Sequence, residues 1–128
     1  MTNSTVLVIE DNELNLKLVR DLLQIGKYQV LEAIDAESGI RLAREHKPDL
    51  ILMDIQLPDI NGLAAAKILK KNKNLNHIPI VALTGCAMQG DQEKAFEAGC
   101  IGYISKPIDT RVFLKKIAEF LNPPKRFE

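Results

Sequence analysis

Residues 48–63 read PDLILMDIQLPDINGL, and this stretch decides how the chain folds. Residues 50–53 within it are continuously apolar, as a strand must be when both faces of a parallel sheet are covered. Four further apolar runs, two strong and two shorter, lie at residues 5–9 (TVLVI), 80–83 (IVAL), 29–33 and 102–104. The chain therefore predicts five strands, of which at least three are buried on both faces.

Segments with helical periodicity alternate with these strands. The first ends at Gly26, a good left-handed C-cap, and the second is capped by Asp35. The expected helices cover Glu13–Ile25, 36 to about 45, 61–71 and about 89–98, and a fifth follows its cap Asp109 with an apolar stripe of Val112, Phe113, Ile117, Phe120 and Leu121. Strands and helices alternating at this spacing give parallel strands joined by right-handed crossovers. We therefore expect an α/β fold, a single doubly wound five-stranded parallel sheet of order 2-1-3-4-5 with five helices.

Composition bounds the class of protein. A chain of 128 residues has room for one domain, which we expect to span residues 1–121, with a short tail at residues 122–128. Seventeen basic and seventeen acidic residues cancel, so neither nucleic acid nor a membrane is an expected partner. The N-terminus has no signal-peptide pattern, and the two cysteines, Cys86 and Cys100, fit free thiols, so we expect a cytoplasmic protein.

Polar residues stand where four of the predicted strands end. Glu10 and Asp11 follow the first strand and Asp54 follows the third, its neighbour in the proposed sheet. Three carboxylates in one crevice repel one another, so the arrangement favours a hard divalent cation, and oxygen ligands favour Mg²⁺. Thr84 and Lys106 follow the fourth and fifth strands and reach the same edge. Each residue alone has an ordinary explanation as a turn or cap residue, and the coincidence across four strands is what indicates a site.

These residues resemble the signature of the bacterial two-component response-regulator receiver domain. The motifs are Glu10-Asp11, Asp54 in LILMDIQLPDING, Thr84 in PIVALTG, and Lys106-Pro107. Thr84 lies 30 residues after Asp54 and Lys106 lies 52 residues after it, spacings typical of that family. The resemblance covers residues 5 to about 121. The stretches EDNELN, HKPDLILMDIQLP, NHIPIVALT and YISKPI are most similar to stand-alone receivers of the DivK type.

The resemblance implies a phosphoacceptor site that uses Mg²⁺. Asp54 would accept a phosphoryl group from a phosphohistidine. Asp11, Asp54 and the backbone carbonyl of Gln56 would bind Mg²⁺, and Glu10 would act through a water molecule. Lys106 would pair with the phosphoryl oxygens, its peptide bond to Pro107 being cis.

The resemblance also implies a switch and a docking surface. Thr84 would move toward the phosphoryl group and Tyr103 would turn inward. The donor would be a histidine kinase or a histidine phosphotransferase, and the signal would pass to a downstream protein target, with the chain a monomer or weak dimer. The first helix has apolar side chains around slightly more than half of its circumference, which leaves one edge exposed. The expected docking residues are Leu14, Asn15, Leu18 and Ile108.

Two other classes of protein fit parts of the pattern. A Mg²⁺-dependent phosphohydrolase of the haloacid-dehalogenase type also forms an aspartyl phosphate, but it needs a second Asp where Gln56 stands. A flavodoxin-like electron carrier shares the strand order, but it needs a phosphate-cradling loop where Glu10 and Asp11 stand, and aromatic residues are only 5% of the chain. We therefore interpret the chain as a signalling protein rather than an enzyme. Gly85 departs from the family, which usually has Ala there.

Overall fold

A five-stranded sheet, parallel throughout, separates two layers of helices. The computed structural model describes residues 4–85 and 89–121, without the side chains of residues 89–92, so Cys86 and the expected tail at residues 122–128 lie outside the described residues. The elements are β1 (Thr5–Ile9), α1 (Glu13–Ile25), β2 (Gln29–Ala33), α2 (Ala36–His46), β3 (Leu50–Asp54), α3 (Gly62–Lys71), β4 (Ile80–Thr84), α4 (Gln89–Glu97), β5 (Gly102–Ser105) and α5 (Phe113–Leu121). The strand order is β2-β1-β3-β4-β5, which confirms the predicted fold class.

The central strands are apolar throughout because their two faces contribute to different cores. In β1, Leu7 and Ile9 belong to the core beneath α2 and α3, whereas Val6 and Val8 belong to the core beneath α1 and α5. All four side chains are fully buried. A strand covered on both faces leaves no position for a polar side chain until its end, so the polar residues collect at the edges of the sheet.

The strand register aligns the carboxyl ends that carry the site. Ile9 pairs with Met53, so the next residues, Glu10 and Asp54, lie side by side. Thr84 pairs with Ser105, and the Lys106 backbone N–H donates to the Thr84 carbonyl over 2.8 Å. The ends of four strands therefore reach one edge together.

The beginning of the last helix differs from the prediction. Asp109 is not its cap, since α5 begins at Phe113. The Asp109 side chain accepts hydrogen bonds from the backbone and the guanidinium of Arg111 and so closes a turn ahead of the helix. Val112 lies in this turn and is 36% exposed, so it is not part of the buried stripe.

None of the helices within the described ranges combines the length and the apolar character that a membrane crossing requires.

Candidate functional site

Three carboxylates converge beyond the ends of β1 and β3. One oxygen from each of Glu10, Asp11 and Asp54 lies within 4.8 Å of the other two. Glu10 is fully buried and Asp54 is 6% exposed, whereas Asp11 is open to solvent. They line an open cleft of about 870 Å³. The structure thus brings together the three acidic residues that the sequence indicates.

The turn between β1 and α1 places Glu10 and Asp11 side by side in the cleft. Asn12, and not Asp11, caps α1, because its Oδ1 accepts a hydrogen bond from the Asn15 backbone N–H over 3.0 Å. The Asn12 backbone N–H in turn donates to Glu10 Oε2 over 3.1 Å. Asp11 therefore lies between a buried carboxylate and a helix cap, and it is exposed to solvent while lining the cleft.

Lys106 connects two of the carboxylates. Its Nζ lies 2.6 Å from Glu10 Oε1 and 3.0 Å from Asp54 Oδ2, and its side chain is largely buried. Burial disfavours its charged form, but the two carboxylates outweigh burial and hold the pKa of Lys106 above its ordinary value. The ammonium therefore stays protonated at neutral pH. The Lys106–Pro107 peptide bond is cis.

Glu10 is the most deeply buried of the three carboxylates. Burial raises the pKa of Glu10 above its ordinary value, and the nearby Asp54 raises it further, against the opposing effects of Lys106 and the Asn12 amide. Its Oε1 is buried and, within residues 4–85 and 89–121, accepts no well-aligned hydrogen bond, although it is in ion-pair contact with Lys106. A buried carboxylate oxygen with unused acceptor capacity is costly unless a cation or an ordered water completes its surroundings.

The donor set fits a hard divalent cation. Three carboxylates against one ammonium leave an excess of two negative charges, which one divalent ion neutralises. Gln56 adds backbone groups at the same place, since its N–H donates to Asp54 Oδ1 over 3.0 Å and the residue lines the cleft. Oxygen ligands of this kind suit Mg²⁺ better than the softer transition metals do.

Thr84 and Asp54 line a second cavity, separate from the open cleft. Thr84 is 5% exposed and lines this smaller cavity of about 230 Å³ together with Asp54, Asn61, Gly85 and Lys94. A Cβ added at Gly85 would meet no described atom within 4 Å. Tyr103, the other proposed switch residue, pairs with Ala82 in the sheet and lies half-buried against the core beneath α2 and α3.

The proposed docking residues divide into two groups. Leu14 and Asn15 line the same cleft as the carboxylates, and Leu14 is 79% exposed, which is unusual for a leucine of a helix packed on a sheet. Leu18 is half-buried, and Ile108 is half-buried against the core beneath α1 and α5. Leu14 is therefore the most prominent apolar side chain at the mouth of the site.

Sequence reasoning missed two residues near the site. Asp59 reaches α2, where its carboxylate accepts the backbone N–H groups of Ala36 and Glu37. Lys94 lines the cavity beside Thr84. Nothing in the sequence distinguishes Asp59 from an ordinary turn residue, because its partners lie more than twenty positions earlier in the chain.

Comparison with known proteins establishes the family. Residues 6–118 match the model of the response regulator receiver domain, so the chain belongs to that family. The chain is 49% identical over 121 residues to the polar-differentiation response regulator DivK of Brucella ovis, covering 94% of this chain and 98% of that protein. The chain is accordingly a phosphoacceptor signalling domain of the two-component type, and the phosphohydrolase interpretation is not favoured.

Two solved structures extend the comparison. The receiver domain of the sensor histidine kinase PA1611 from Pseudomonas aeruginosa superposes with a TM-score of 0.86 at 30% identity, over 94% of this chain and 98% of that one, and was crystallised with a magnesium ion coordinated in its active site cleft. The receiver domain of the response regulator Ssk1 from Saccharomyces cerevisiae, in complex with the histidine phosphotransfer protein Ypd1, gives 0.85 at 31% identity over 92% and 88%.

Proposed function

We propose that Asp54 is the phosphoacceptor of this receiver domain. The observation that carries the proposal is how its two carboxylate oxygens are held: Oδ2 accepts from the Lys106 ammonium over 3.0 Å and Oδ1 accepts from the Gln56 N–H over 3.0 Å. Asp54 thus sits at the end of a buried strand with its carboxylate fixed in direction, beside an open cleft. Fixed geometry is what an attacking carboxylate requires.

The reaction needs little from the protein beyond position and charge. An Asp54 oxygen attacks the phosphorus of a phosphohistidine, the P–N bond breaks, and its electron pair stays on the imidazole nitrogen, which takes a proton from solvent. A P–O bond now joins the phosphoryl group to Asp54. Lys106 moves from the Asp54 carboxylate to the phosphoryl oxygens as a charged hydrogen-bond donor, and the Thr84 hydroxyl donates to another of them.

The site would hold Mg²⁺ through Asp11, Asp54 and the Gln56 carbonyl, with Glu10 holding a water molecule. The ion supplies neutralisation of phosphoryl charge when bound. Support comes from the excess negative charge of the cluster and from the unused acceptor capacity of Glu10 Oε1. The related PA1611 receiver, whose structure contains magnesium, adds to this support.

The exposed residues beside the cleft and the family of the chain support a proposal for its phosphoryl donor and its protein target. The Ssk1 receiver is bound to a histidine phosphotransfer protein, which supports a histidine kinase or a histidine phosphotransferase as donor for this chain. Leu14, Asn15, Leu18 and Ile108 would dock that donor next to the cleft. Movement of Thr84, followed by inward rotation of Tyr103, would carry the signal to a protein target. We propose a cytoplasmic protein that is monomeric or weakly dimeric, with the receiver ending at about residue 121.

Intact-mass analysis tests the phosphoacceptor directly. Incubation with acetyl phosphate or a phosphorylated histidine phosphotransferase and Mg²⁺ should add the mass of one phosphoryl group to the wild type and none to Asp54→Asn. Asp49→Asn is the matched control, since Asp49 stands at the opposite end of the same strand, where it accepts the Thr5 N–H. Undiminished phosphorylation of Asp54→Asn would exclude Asp54 as the acceptor.

A further inference from the structure

The loop from residue 55 to residue 61 carries Gln56 past the phosphoacceptor and is anchored at three places. At its start, the Ile55 N–H donates to the Leu83 carbonyl over 3.2 Å. At its end, the Gly62 N–H donates to the Ile55 carbonyl over 2.8 Å and closes the loop on itself. Its middle, at Asp59, is tied to a different helix.

Asp59 binds the start of α2 with both carboxylate oxygens. Oδ1 accepts the Ala36 N–H over 2.9 Å and Oδ2 accepts the Glu37 N–H over 3.0 Å. These hydrogen bonds lower the pKa of Asp59, so the carboxylate is charged throughout the physiological range. A charged carboxylate bound by two backbone N–H groups at a helix N-terminus is held in orientation as well as in position.

The helix that receives Asp59 is itself capped locally. Asp35 is its N-cap, with Oδ1 accepting the Ser38 N–H over 2.8 Å and its carbonyl accepting the Gly39 N–H over 3.1 Å. The first three amide N–H groups of α2 are thus satisfied by two carboxylates of different origin. Asp35 directly precedes α2 and stabilises only the start of that helix, whereas Asp59 belongs to the loop and attaches the loop to the helix.

The body of α2 is a rigid support. Ala36 is fully buried, and a Cβ added at Gly39 would lie 2.6 Å from Cγ1 of Ile9, so α2 packs closely on the Ile9 side chain of β1 and leaves no room there for a larger residue. Ile9 immediately precedes Glu10. The Asp59 contact therefore links the loop that carries Gln56 to the strand that carries Glu10, through a helix that has no room to shift toward the sheet.

We propose that Asp59 is a positioning residue for the metal site. By clamping the middle of the loop to α2, it holds the Gln56 backbone beside Asp54 and thereby sets the affinity for Mg²⁺. The inference deepens the proposed function and rests on it, because it takes the Gln56 carbonyl as a Mg²⁺ ligand. Gln56, Pro58 and Asp59 itself are exposed, and only Leu57 between them packs against the core beneath α2 and α3, so the clamp at Asp59 adds a second attachment to this part of the loop.

The test compares Asp59→Asn with Asp35→Asn. Each variant replaces a carboxylate cap of the same helix by its amide. At position 59 the amide leaves one oxygen for two backbone N–H groups, whereas at position 35 the amide oxygen still accepts the Ser38 N–H, and only Asp59 is part of the loop. Mg²⁺ binding is measured by isothermal titration calorimetry on the unphosphorylated 128-residue chain. Amide hydrogen exchange of residues 55–60 and thermal unfolding are measured in parallel.

We expect Asp59→Asn to weaken Mg²⁺ binding by about tenfold, the lower end of what loss of a supporting interaction costs a metal site. Exchange at residues 55–60 should speed up in this variant alone. Asp35→Asn, which keeps an oxygen for the cap, should stay near the wild type in both unfolding temperature and Mg²⁺ affinity. An unchanged affinity in Asp59→Asn, or an equal loss in both variants, would overturn the positioning role.

The same experiment separates this inference from the function on which it rests. If the wild type itself fails to bind Mg²⁺, the metal site of the proposed function is refuted and the positioning role falls with it. If the wild type binds Mg²⁺ and is phosphorylated on Asp54, but Asp59→Asn binds it equally well, only the positioning role is refuted.

Discussion

Gly62 lies directly against the backbone of the strand that carries Asp54. A Cβ added there would collide with the Asp54 carbonyl oxygen and would lie 2.8 Å from Ile55 Cα and 3.1 Å from the Ile55 carbonyl oxygen. All three atoms belong to the backbone, so no rotation of a side chain relieves the overlap. Gly62→Ala must therefore push the start of α3 away from β3.

The size of the effect follows from these separations. Carbon atoms in contact lie about 3.5–4.0 Å apart, so relief requires a movement of about 1 Å. Overpacking of this kind lowers the free energy of unfolding by about 1–3 kcal/mol. The same movement displaces the loop that carries Gln56, and a misplacement of about 1 Å near a reacting centre costs about 100-fold in rate.

Gly85→Ala is the matched control, because it adds the same methyl group on the other side of Asp54 where a Cβ meets no described atom. It should leave the free energy of unfolding unchanged or raise it by about 0.4–1 kcal/mol, through lower entropy of the unfolded chain. Urea unfolding and single-turnover phosphoryl transfer measure both quantities. The reasoning is refuted if Gly62→Ala keeps wild-type stability and rate, or if both variants lose them equally.

Three further predictions concern charge, burial and docking. Glu10→Gln removes a buried charge that faces Asp54, so without Mg²⁺ the variant should be at least as stable as the wild type. Mg²⁺ should raise the unfolding temperature of the variant less than that of the wild type, and an equal rise in both would contradict this. Burial raises the pKa of the Cys100 thiol to about 11, so Cys100 of the folded protein should resist iodoacetamide at pH 8 in peptide mapping, and rapid modification would contradict this. The free energy of unfolding should fall as pH rises above about 9, because only the unfolded chain ionises this thiol there. Cys100→Ala should reduce this loss of stability at high pH. Leu14→Ala changes a side chain that is 79% exposed, so it should alter the free energy of unfolding by less than about 0.5 kcal/mol. It should slow phosphoryl transfer from a phosphorylated histidine phosphotransferase but not from acetyl phosphate. Equal slowing with both donors would argue against a docking role for Leu14.

The strands were predictable because the apolar runs mark them, and their order was predictable because alternation with helices suits a doubly wound sheet of order 2-1-3-4-5. Residues 50–53 have no polar position, which only a strand covered on both faces requires, and alternation with helices then leaves few topologies. Convergence of Glu10, Asp54 and Lys106 follows from the same reasoning, since parallel strands end at one edge. The roles of these residues came from the family resemblance.

Contacts between distant segments were not predictable. Asp59 looks like any acidic residue in a proline-containing turn, and its partners on α2 are adjacent only after the helix has packed on β1. Local competition was equally hidden at Asp109, where a neighbouring Arg111 draws the carboxylate into a turn and delays the helix. In both cases the hydrogen bonds that one carboxylate accepts decide the outcome, and residue preference alone does not determine it.

Chemical mapping of the phosphoryl group tests the central claim most directly. Borohydride reduces an aspartyl phosphate to homoserine, so treatment of the phosphorylated protein followed by peptide sequencing marks the residue that carried the group. Homoserine at position 54, formed only when Mg²⁺ was present during phosphorylation, is the predicted result. Homoserine at Asp11 or another acidic residue, or equal labelling in the presence of a chelator, would contradict it.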